Sequence, residues 1–323
     1  MTPPFEMTAE CIRLLADIER LIGRYEGQHR PRPAPMLRKS LRVRSVQGSV
    51  AIEGNTLTDE QITAVLEGRR VTGPRREIRE VKNALAAYDR LSGWNANEPN
   101  DLLAAHKVLM SGLIESAGSW RRGNIGVLDG SRVAHVAPPA ERVAWQVENL
   151  LQFLAAGQAT HPIVKAAVVH YELEFIHPFE DGNGRIGRLW HTLILSEYHT
   201  VFAYVPVESI IRDQQSDYYA VLRQCDRAGN STAFVEFSLL ATKRALDETL
   251  TQLIAKPVTA ADRLAVARER FQNSEFARKD YLPLFPGLST ATASRDLRQA
   301  VDSGRLQRSG QKSQTTYAFR VSR

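Results

Sequence analysis

Apolar residues recur along much of the chain with the spacing of an α-helix. The N-terminal set is Ile12, Leu15, Ile18, Leu21 and Ile22, and the central set is Val143, Val147, Leu150, Leu151 and Leu154. Side chains three and four positions apart share one face of a helix, so both stretches predict amphipathic helices. The residues from Thr58 to Gln61 fit a capping box and predict the start of another helix. We therefore expect a mainly α fold.

One short region has the pattern of a β-hairpin. The dipeptide Asp129-Gly130 lies between residues 125–128 and residues 131–136, which contain several Val, Ile and Leu side chains. Asp-Gly favours a two-residue type I′ turn because both turn positions need a positive φ. We predict one hairpin, before the centre of the chain.

Breaks rich in Pro, Gly and Asn interrupt the helical pattern. They lie at residues 30–35, 95–100, 226–230 and 256–257. Such residues set turns or prevent a helix from continuing. From these breaks we predict an N-terminal helical region over residues 1–96, a core over residues 97–255 and a C-terminal domain over residues 256–323.

The most informative segment leads from one predicted helix, residues 161–175, into another, residues 185–198. Gly182, Asn183 and Gly184 are expected in a loop at the N-terminus of the second helix, where unpaired N–H groups attract an anion. Arg185 and Arg188 are three positions apart, so they point from the same side of the first turn. Two guanidinium groups beside a ring of amides suit a polyphosphate.

Two further residues of this segment add chemistry. Asp181 can hold the divalent cation that accompanies a polyphosphate, and His177 can take a proton from an attacking hydroxyl. The spacing Gly182-x-Gly184-x-x-Gly187 also matches a dinucleotide-binding fingerprint. That fingerprint needs a preceding strand, whereas the upstream residues have a helical pattern. The segment therefore favours phosphate transfer over nicotinamide binding.

The run from His177 to Arg188 resembles the signature of Fic-domain proteins, most of which transfer AMP from ATP to a hydroxyl of a target protein. The resemblance implies that His177 is the general base, that Asp181 holds Mg²⁺ and that residues 182–184 form the anion hole. It assigns Arg185 to the departing pyrophosphate and Arg188 to the terminal phosphate. In a related branch that resembles Doc and phosphorylates its target, a lysine replaces the second glycine, so Gly184 favours AMP transfer.

The same resemblance gives roles to two other regions of the core. Tyr219 is similar to an aromatic residue that faces adenine in the family. The hairpin corresponds to a flap that aligns a target segment as an added strand, with Val127, Arg132 and Val133 influencing the choice of target.

The segment from Ser49 to Asn55 resembles the family's inhibitory motif, Ser/Thr-x-x-x-Glu-Gly/Asn. Ser49 and Glu53 are four positions apart and share one helical face, and Gly54 is expected to end the helix. The resemblance implies that Glu53 pairs with Arg188 and prevents productive docking of the terminal phosphate. The same glutamate can also orient a water that removes AMP, and the sequence leaves both roles open.

The positive charge of the protein is concentrated near its C-terminus. The chain has 42 Lys+Arg and 36 Asp+Glu, and residues 277–323 hold nine basic and three acidic residues, which accounts for the whole net charge of +6. Predicted helices over residues 260–274, 278–285 and 290–303, with Ser289 as a cap, precede two strands, residues 306–308 and 315–319. This order resembles a winged helix-turn-helix, whose outward-facing residues would suit contacts with DNA: Thr290, Thr292, Ser294, Arg295, Arg298 and Lys312. The alternative is a winged helix that serves only as a protein-docking or dimerising module.

The remaining features indicate a cytoplasmic protein. No apolar run approaches the roughly 18 residues that cross a membrane, no signal peptide is visible, and Cys11 and Cys225 have no metal or redox spacing. The interpretation for Trp120, Trp145 and Trp190 is core or semi-buried packing. A basic cluster is interpreted as a solvated loop whose charge is partly balanced by Glu67, Glu77 and Glu80; its members are Arg69, Arg70, Arg75 and Arg76. His106 shows no metal-ligand spacing.

We therefore predict a Fic-type protein adenylyltransferase with a helical core, a β-hairpin flap and a C-terminal winged helix, using ATP and Mg²⁺. The alternative is a DNA-binding regulator whose Fic core senses nucleotide or removes AMP. Expected partners are a target protein, the chain itself as a target, DNA, and a second copy in a homodimer; no membrane partner is expected.

Overall fold

The computed structural model describes residues 2–27, 35–129, 132–157, 160–255, 259–285, 287–311 and 314–320. The chain forms two compact units. Unit 1 contains Met1–Leu21 and Leu41–Thr249, and unit 2 contains Ile22–Ser40 and Leu250–Arg323. The division falls inside three long helices, so it does not coincide with a loop.

Helices account for most of the first 255 residues, which confirms the mainly α expectation. They are α1 (Ala9–Glu26), α2 (Pro35–Ile52), α3 (Asp59–Leu66), α4 (Arg75–Asp89), α5 (Pro99–Met110), α6 (Val143–Ala155), α7 (Pro162–Ile176), α8 (Asn183–Tyr198), α9 (Val207–Asp213), α10 (Gln215–Ala228) and α11 (Thr232–Ala255). Short 3₁₀ turns lie at Leu91–Gly93, Ala140–Arg142 and Thr200–Tyr204.

The centre of unit 1 is the pair α7 and α8. Helix α7 is buried along nearly its whole length because its residues are apolar on every side. The His161 ring accepts a hydrogen bond from Ile163 N–H at 3.3 Å, and Pro162 occupies the first turn, so the predicted helix is confirmed. Helix α8 begins at Asn183, so Asn183 and Gly184 belong to its first turn and their placement in the preceding loop is wrong.

The predictions for α3, α6 and α1 agree with the structure to different degrees. The Thr58–Gln61 capping box at the start of α3 is confirmed. Helix α6 is confirmed, with its predicted apolar face buried except for the half-buried Leu154. Helix α1 is also confirmed, but Ile12 is 58% exposed. The buried face of α1 contains Cys11 and Leu14 in its first turns, so the apolar stripe is rotated relative to the predicted one.

The predicted hairpin is present as β1 (Gly126–Asp129) and β2 (Arg132–Val136), which pair antiparallel with an irregularity between Val127 and Leu128. Asp129 pairs with Arg132, so its predicted turn position is wrong because it extends the strand. Gly130 and Ser131 lie outside the described residues, as do the side chains of Val127, Arg132 and Val133.

The C-terminal part of unit 2 combines helices with a small sheet. Its elements are α12 (Ala260–Phe271), β3 (Phe276–Ala277), α13 (Arg278–Tyr281), a 3₁₀ turn (Leu282–Leu284), α14 (Thr290–Asp302), β4 (Leu306–Ser309) and β5 (Thr316–Phe319). The sheet is antiparallel in the order β3-β5-β4. The two-residue strand β3 was not predicted, and α12 ends three residues earlier than predicted.

The packing of this sheet and its helices follows from a few residues. Ser289 caps α14 by accepting from Thr292 N–H at 3.1 Å, as predicted. The predicted helix over 278–285 is divided because α13 gives way to a 3₁₀ turn containing Pro283. A buried ion pair joins Arg263 Nε to Asp296 Oδ2 at 2.6 Å, and Tyr281 donates to the same carboxylate at 3.2 Å.

The predicted boundaries at residues 96/97 and 255/256 stay predictions. The breaks at 30–35 and 256–257 fall almost entirely outside the described residues. Within the described part of the chain, no helix combines the length and the apolar character that crossing a bilayer requires.

Candidate active site

The turn between α7 and α8 begins at His177, whose φ and ψ of 50° and 60° are left-handed. This conformation is uncommon for a residue with a side chain and marks a constrained position. The ring Nδ1 lies 3.2 Å from the carbonyl oxygen of Glu174. Since a carbonyl only accepts, Nδ1 carries the proton and the lone pair is on Nε2. The fold thus selects the tautomer that can accept a proton at Nε2.

Asn183 closes the turn after His177. Its side chain accepts from Phe179 N–H at 2.9 Å and donates to Phe179 O at 2.9 Å. Both amide atoms are therefore used to bracket the loop, and Asn183 is 2% exposed. The resemblance implies a place in the anion hole for Asn183; its backbone lies in the first turn of α8, while its side chain holds the loop.

The ring of His106, in α5, packs against the same turn. Its ring stacks on Phe179 with centroids 3.6 Å apart. Gly118 N–H donates to Nδ1 at 2.9 Å, which leaves the ring proton on Nε2 to donate to Asp181 O at 2.9 Å. Burial lowers the pKa of His106 to about 4, so the ring is neutral at ordinary pH and keeps this pattern.

The first turn of α8 faces Glu53, the residue that follows α2. A β-carbon built on Gly184 would lie 2.5 Å from Glu53 Oε1, so only glycine leaves room for the carboxylate. The positive end of a helix dipole and its unpaired N–H groups favour an anion at this place. The anion-binding end of α8 therefore holds a carboxylate of the chain itself.

Arg188 holds the same carboxylate from the next turn of α8. Its Nη2 lies 2.6 Å from Glu53 Oε1 and 3.0 Å from Ser49 O, and its Nε lies 3.4 Å from Ser49 Oγ. The side chain is 1% exposed. Burial alone would lower the pKa of Arg188, but the negative charges of Glu53 and Glu174 raise it, so the guanidinium stays charged.

Arg185 joins two other carboxylates, those of Glu80 and Asp181. It forms a salt bridge with Glu80 of α4, and its Nη2 lies 2.7 Å from Asp181 Oδ1. Glu80 Oε2 also accepts from Asn55 Nδ2 at 2.8 Å, which ties the chain just after Glu53 to the same cluster. Asp181 keeps its other oxygen 3.5 Å from Nη2 of the exposed Arg76.

The end of α2 is anchored by α10. Gln215 Nε2 donates to the carbonyl of Ile52 at 2.9 Å, and Tyr219 OH donates to the same oxygen at 3.4 Å. Tyr219 remains 37% exposed, so part of its ring is open to a ligand. Burial raises the pKa of Tyr219, and the Glu53 charge adds to the effect.

The family comparisons agree with this geometry. The family model described as the Fic/DOC family matches residues 97–195. A crystal structure of a Fic family protein from Desulfovibrio desulfuricans is 40% identical, with a TM-score of 0.74, and the match covers 99% of this chain and 98% of that one. The chain belongs to the Fic family. The resemblance carried by residues 177–188 is thereby confirmed.

Curated relatives of this Fic chain are longer than the chain. Protein adenylyltransferase Fic of Nematostella vectensis is 32% identical over 222 residues, which are 65% of this chain and 49% of the relative. The protein of the same name from Aedes aegypti is 30% identical over 220 residues, 65% of this chain and 42% of the relative. The chain thus spans about half the length of the curated relatives it matches.

The structure also adds residues that the sequence analysis missed. Arg76 is solvated as predicted, but it lies in the first turn of α4 rather than in a loop, with its Nη2 3.5 Å from Asp181 Oδ2. Glu80, expected only to balance part of that charge, is 12% exposed and pairs with Arg185. His106 supports the Fic loop rather than a metal, and its role had no spacing signal. Trp190 is fully buried and Trp120 half-buried, but Trp145 is 57% exposed, so packing is the wrong interpretation for Trp145.

Proposed function

We propose that this Fic protein transfers AMP from ATP to a hydroxyl side chain of a target protein. The observation that carries the proposal is the arrangement at the α8 N-terminus, where Arg185 and Arg188 meet the helix end and His177 presents Nε2 as a proton acceptor. The adenylyltransferase names of the relatives support the same reaction.

In the proposed reaction, His177 Nε2 takes the proton of the target hydroxyl, and the hydroxyl oxygen attacks the α-phosphorus of ATP. A phosphorus–oxygen bond to the target forms while the bond to pyrophosphate breaks. We assign the backbone N–H groups of residues 182–184 to the negative charge that builds up on the phosphate oxygens. The Gly182 N–H donates to Asp181 Oδ1 at 2.6 Å in the structure, so this bond would have to open for the role. We assign Arg185 to the departing pyrophosphate and Arg188 to the terminal phosphate, as the resemblance to the family implies, and both side chains are fixed at the same helix end.

Asp181 is the residue we assign to Mg²⁺. Among the described residues no three His, Cys, Asp or Glu side chains could hold a metal together. That fits a cation which takes one or two carboxylates plus substrate phosphates. Asp181 is 39% exposed beside the anion-binding turn, so its carboxylate suits this role. When bound at Asp181, Mg²⁺ would neutralise part of the negative charge of the phosphates.

We infer that Glu53 and Ser49 form an inhibitory contact with Arg188. Glu53 Oε1 lies 2.6 Å from Arg188 Nη2, so the guanidinium assigned to the terminal phosphate is already neutralised. Because the Arg188 side chain is 1% exposed, a molecule that releases Glu53 leaves a buried charge unpaired until another anion replaces the carboxylate, which favours the inhibited arrangement. The same carboxylate could orient a water for AMP removal, and both roles predict a change when Glu53 is replaced.

The test is incubation with labelled ATP and Mg²⁺, read out by intact mass. We expect Glu53→Gly to incorporate AMP into itself or an added target at least tenfold more than the wild type, and Glu53→Gly with His177→Ala to incorporate none. Glu67→Gly is the matched control, because Glu67 is exposed and also follows the last residue of a helix. Added phosphate without AMP would refute adenylylation, and equal AMP incorporation by Glu53→Gly and the wild type would refute inhibition.

The hairpin is the segment we assign to the target. Its two strands pair with one another, so an outer edge can accept a further strand through backbone hydrogen bonds. We propose that an extended target segment pairs along this edge, with the chain itself as one candidate target. Homodimerisation and a cytoplasmic location stay predictions.

A second candidate function, DNA binding by a winged helix in unit 2, is supported by a groove of about 730 Å³. Its basic lining residues are Arg278, Lys279, Arg298 and Arg308. Along α14, Thr290, Arg295 and Arg298 are exposed, whereas Thr292 and Ser294 are half-buried, and Arg278 donates to Ser294 Oγ at 2.8 Å. Lys312 lies outside the described residues. Basic side chains on a helix and a strand suit phosphate contacts.

Titration with duplex DNA at increasing salt tests this second function. We expect Arg298→Ala with Arg308→Ala to weaken binding at least tenfold, and Arg305→Ala, an exposed arginine outside the groove, to leave it unchanged. Binding that is insensitive to salt would argue against phosphate contacts. A regulator whose Fic core only senses nucleotide would keep its DNA binding and its regulatory output with His177→Ala.

A further inference from the structure

Arg121 is a buried arginine between the hairpin and the catalytic turn. Its side chain donates to four carbonyl oxygens: His177 O at 2.7 Å, Gly123 O at 2.9 Å, Pro138 O at 2.5 Å and Ile176 O at 3.3 Å. Only 3% of the residue is exposed. A charged group is retained in such a place only when its donors are well satisfied.

We propose that Arg121 is the positioning residue that fixes His177 relative to the hairpin, an inference that rests on the proposed function. It is not a catalytic residue, because its bonds go to backbone carbonyls and not to reacting atoms. Its effect on the reaction passes through the backbone of His177 and the ends of the hairpin.

The first half of the argument concerns the end of α7. The last carbonyls of a helix lack partners within it and need other donors. Arg121 supplies these donors. Its side chain donates to Ile176 O and His177 O, and its backbone N–H donates to Pro178 O at 2.9 Å. Three successive carbonyls are therefore fixed by one residue. This fixation holds the left-handed backbone of His177, and with it the direction of the imidazole.

The second half concerns the base of the hairpin. Gly123 precedes β1 and Pro138 follows β2, so the same guanidinium binds both ends of the hairpin. The base is closed further by Ala137 N–H donating to Ile125 O at 3.2 Å and by Ala140 N–H donating to Asn124 Oδ1 at 2.9 Å. Arg121 thus sets the separation between the strand edge and His177.

The separation between the hairpin edge and His177 matters because the target segment has to pair with the edge while its hydroxyl reaches His177. A segment paired on the hairpin delivers its hydroxyl at a fixed offset from the strand, and His177 Nε2 has to be within hydrogen-bond reach of it. A displacement of about 1 Å in such an arrangement can reduce a rate about 100-fold. Nucleotide binding by Arg185 and Arg188 does not depend on this offset.

The kinetic test uses Arg121→Lys in the Glu53→Gly background. Lysine keeps the charge but has a single nitrogen, so it cannot reproduce the fork that joins His177 O to Gly123 O and Pro138 O. We expect kcat for transfer to fall at least tenfold, while the affinity for a non-hydrolysable ATP analogue stays within twofold. Arg122→Lys, the exposed neighbour, is the matched control and should change neither quantity. Equal kcat for the two variants would overturn the proposal.

A second measurement separates failure of this inference from failure of the proposed function. Nitrogen-15 NMR of the His177 ring and hydrogen exchange at Ala137 N–H need no transfer reaction. Both should change in Arg121→Lys and be unchanged in Arg122→Lys, even if no AMP transfer is found for any variant. Unchanged ring signals and exchange in Arg121→Lys would overturn the positioning role.

If Arg121→Lys does not fold, the wild-type chain still provides a test. The Arg121 Nε–H that donates to His177 O should exchange with solvent at least tenfold more slowly than the Nε–H of Arg122. Equal exchange of the two groups would contradict the buried carbonyl contacts on which the proposal depends.

Discussion

The carboxylate of Glu53 lies so close to Gly184 that a β-carbon at residue 184 would stand 2.5 Å from Oε1. The same oxygen is 2.6 Å from Arg188 Nη2. One carboxylate is therefore in contact with both the backbone of the first turn of α8 and the arginine of its next turn. Any group larger than hydrogen at residue 184 competes with this carboxylate for the same space.

Gly184→Ala should therefore displace Glu53. The carboxylate is the end of a flexible side chain and can move away, but it loses its optimum geometry with Arg188. We expect Gly184→Ala and Glu53→Gly to be non-additive, with a coupling of about 0.5–3 kcal/mol in the free energy of unfolding. A double-mutant cycle by denaturant unfolding measures this coupling, and strict additivity would show that the two residues do not compete.

Gly48→Ala should loosen the whole end of α2. A β-carbon there would lie 2.6 Å from the backbone carbon of Glu208 and from Ser209 N, and the backbone of α9 cannot move as a side chain can. We expect a loss of roughly 1–3 kcal/mol in unfolding free energy. We also expect increased AMP incorporation, because Ser49 and Glu53 are carried by the same helix end.

Gly23→Ala is the control for this prediction. Gly23 lies in α1 with open space around its β-carbon position, so the same change should stabilise the protein by about 0.4–1 kcal/mol. Chemical denaturation and the labelled-ATP assay measure both effects. If Gly48→Ala were as stable and as inactive as Gly23→Ala, the close approach of α2 to α9 would not hold the inhibitory contact in place.

Tyr219→Ala should weaken nucleotide binding more than Tyr219→Phe. The ring is 37% exposed, and base stacking on an aromatic side chain contributes about 1–3 kcal/mol. In the Glu53→Gly background we expect about a tenfold weaker Kd for an ATP analogue with alanine and little change with phenylalanine. Calorimetry measures the affinities of the parent protein and the two Tyr219 variants for adenine and guanine nucleotides. Equal affinities for all three proteins would remove Tyr219 from the adenine site.

The pKa of His106 predicts a pH dependence of stability. Its folded value of about 4 lies below the ordinary value of 6.5, so the unfolded chain binds more protons between these limits. The stability associated with the neutral His106 ring is fully present above pH 6.5 and is lost as the pH falls towards 4. The free energy of unfolding changes by about 3 kcal/mol over this range. His106→Asn should be less stable at pH 7.5 but should show a flatter pH profile of unfolding free energy across this range. A profile as steep as that of the wild type would assign the slope to other groups.

The parts of the Fic site that the residues predict by themselves lie within one short segment, whereas Ser49, Glu53 and Tyr219, which are distant from it in the chain, came only from the resemblance to the family. His177, Asp181, Arg185 and Arg188 are near neighbours in the chain, and local rules for helix ends place them together whatever the rest of the protein does. The capping residues Thr58 and Ser289 were predictable for the same reason, since a cap acts only on its own first turn.

The supporting residues could not be found in this way because their partners are distant in sequence. Glu80 lies 105 positions from Arg185, His106 lies 75 positions from Asp181, and Arg121 lies 56 positions from His177. Only the packed fold brings each pair into contact. Ile12 and Trp145 show a related limit, because apolar spacing indicates a helix but does not fix which of its apolar residues face solvent.

The pairing of both motif arginines with glutamates of the same chain also affects how the protein would respond to nucleotide. Arg188 holds Glu53 and Arg185 holds Glu80, so a nucleotide that needs both arginines can bind only the fraction of molecules in which these glutamates have moved away. The measured affinity is then the intrinsic affinity reduced by that fraction. Under the proposed function, substitutions in α2 or α4 would thus change the ATP concentration that AMP transfer requires without altering an atom that reacts.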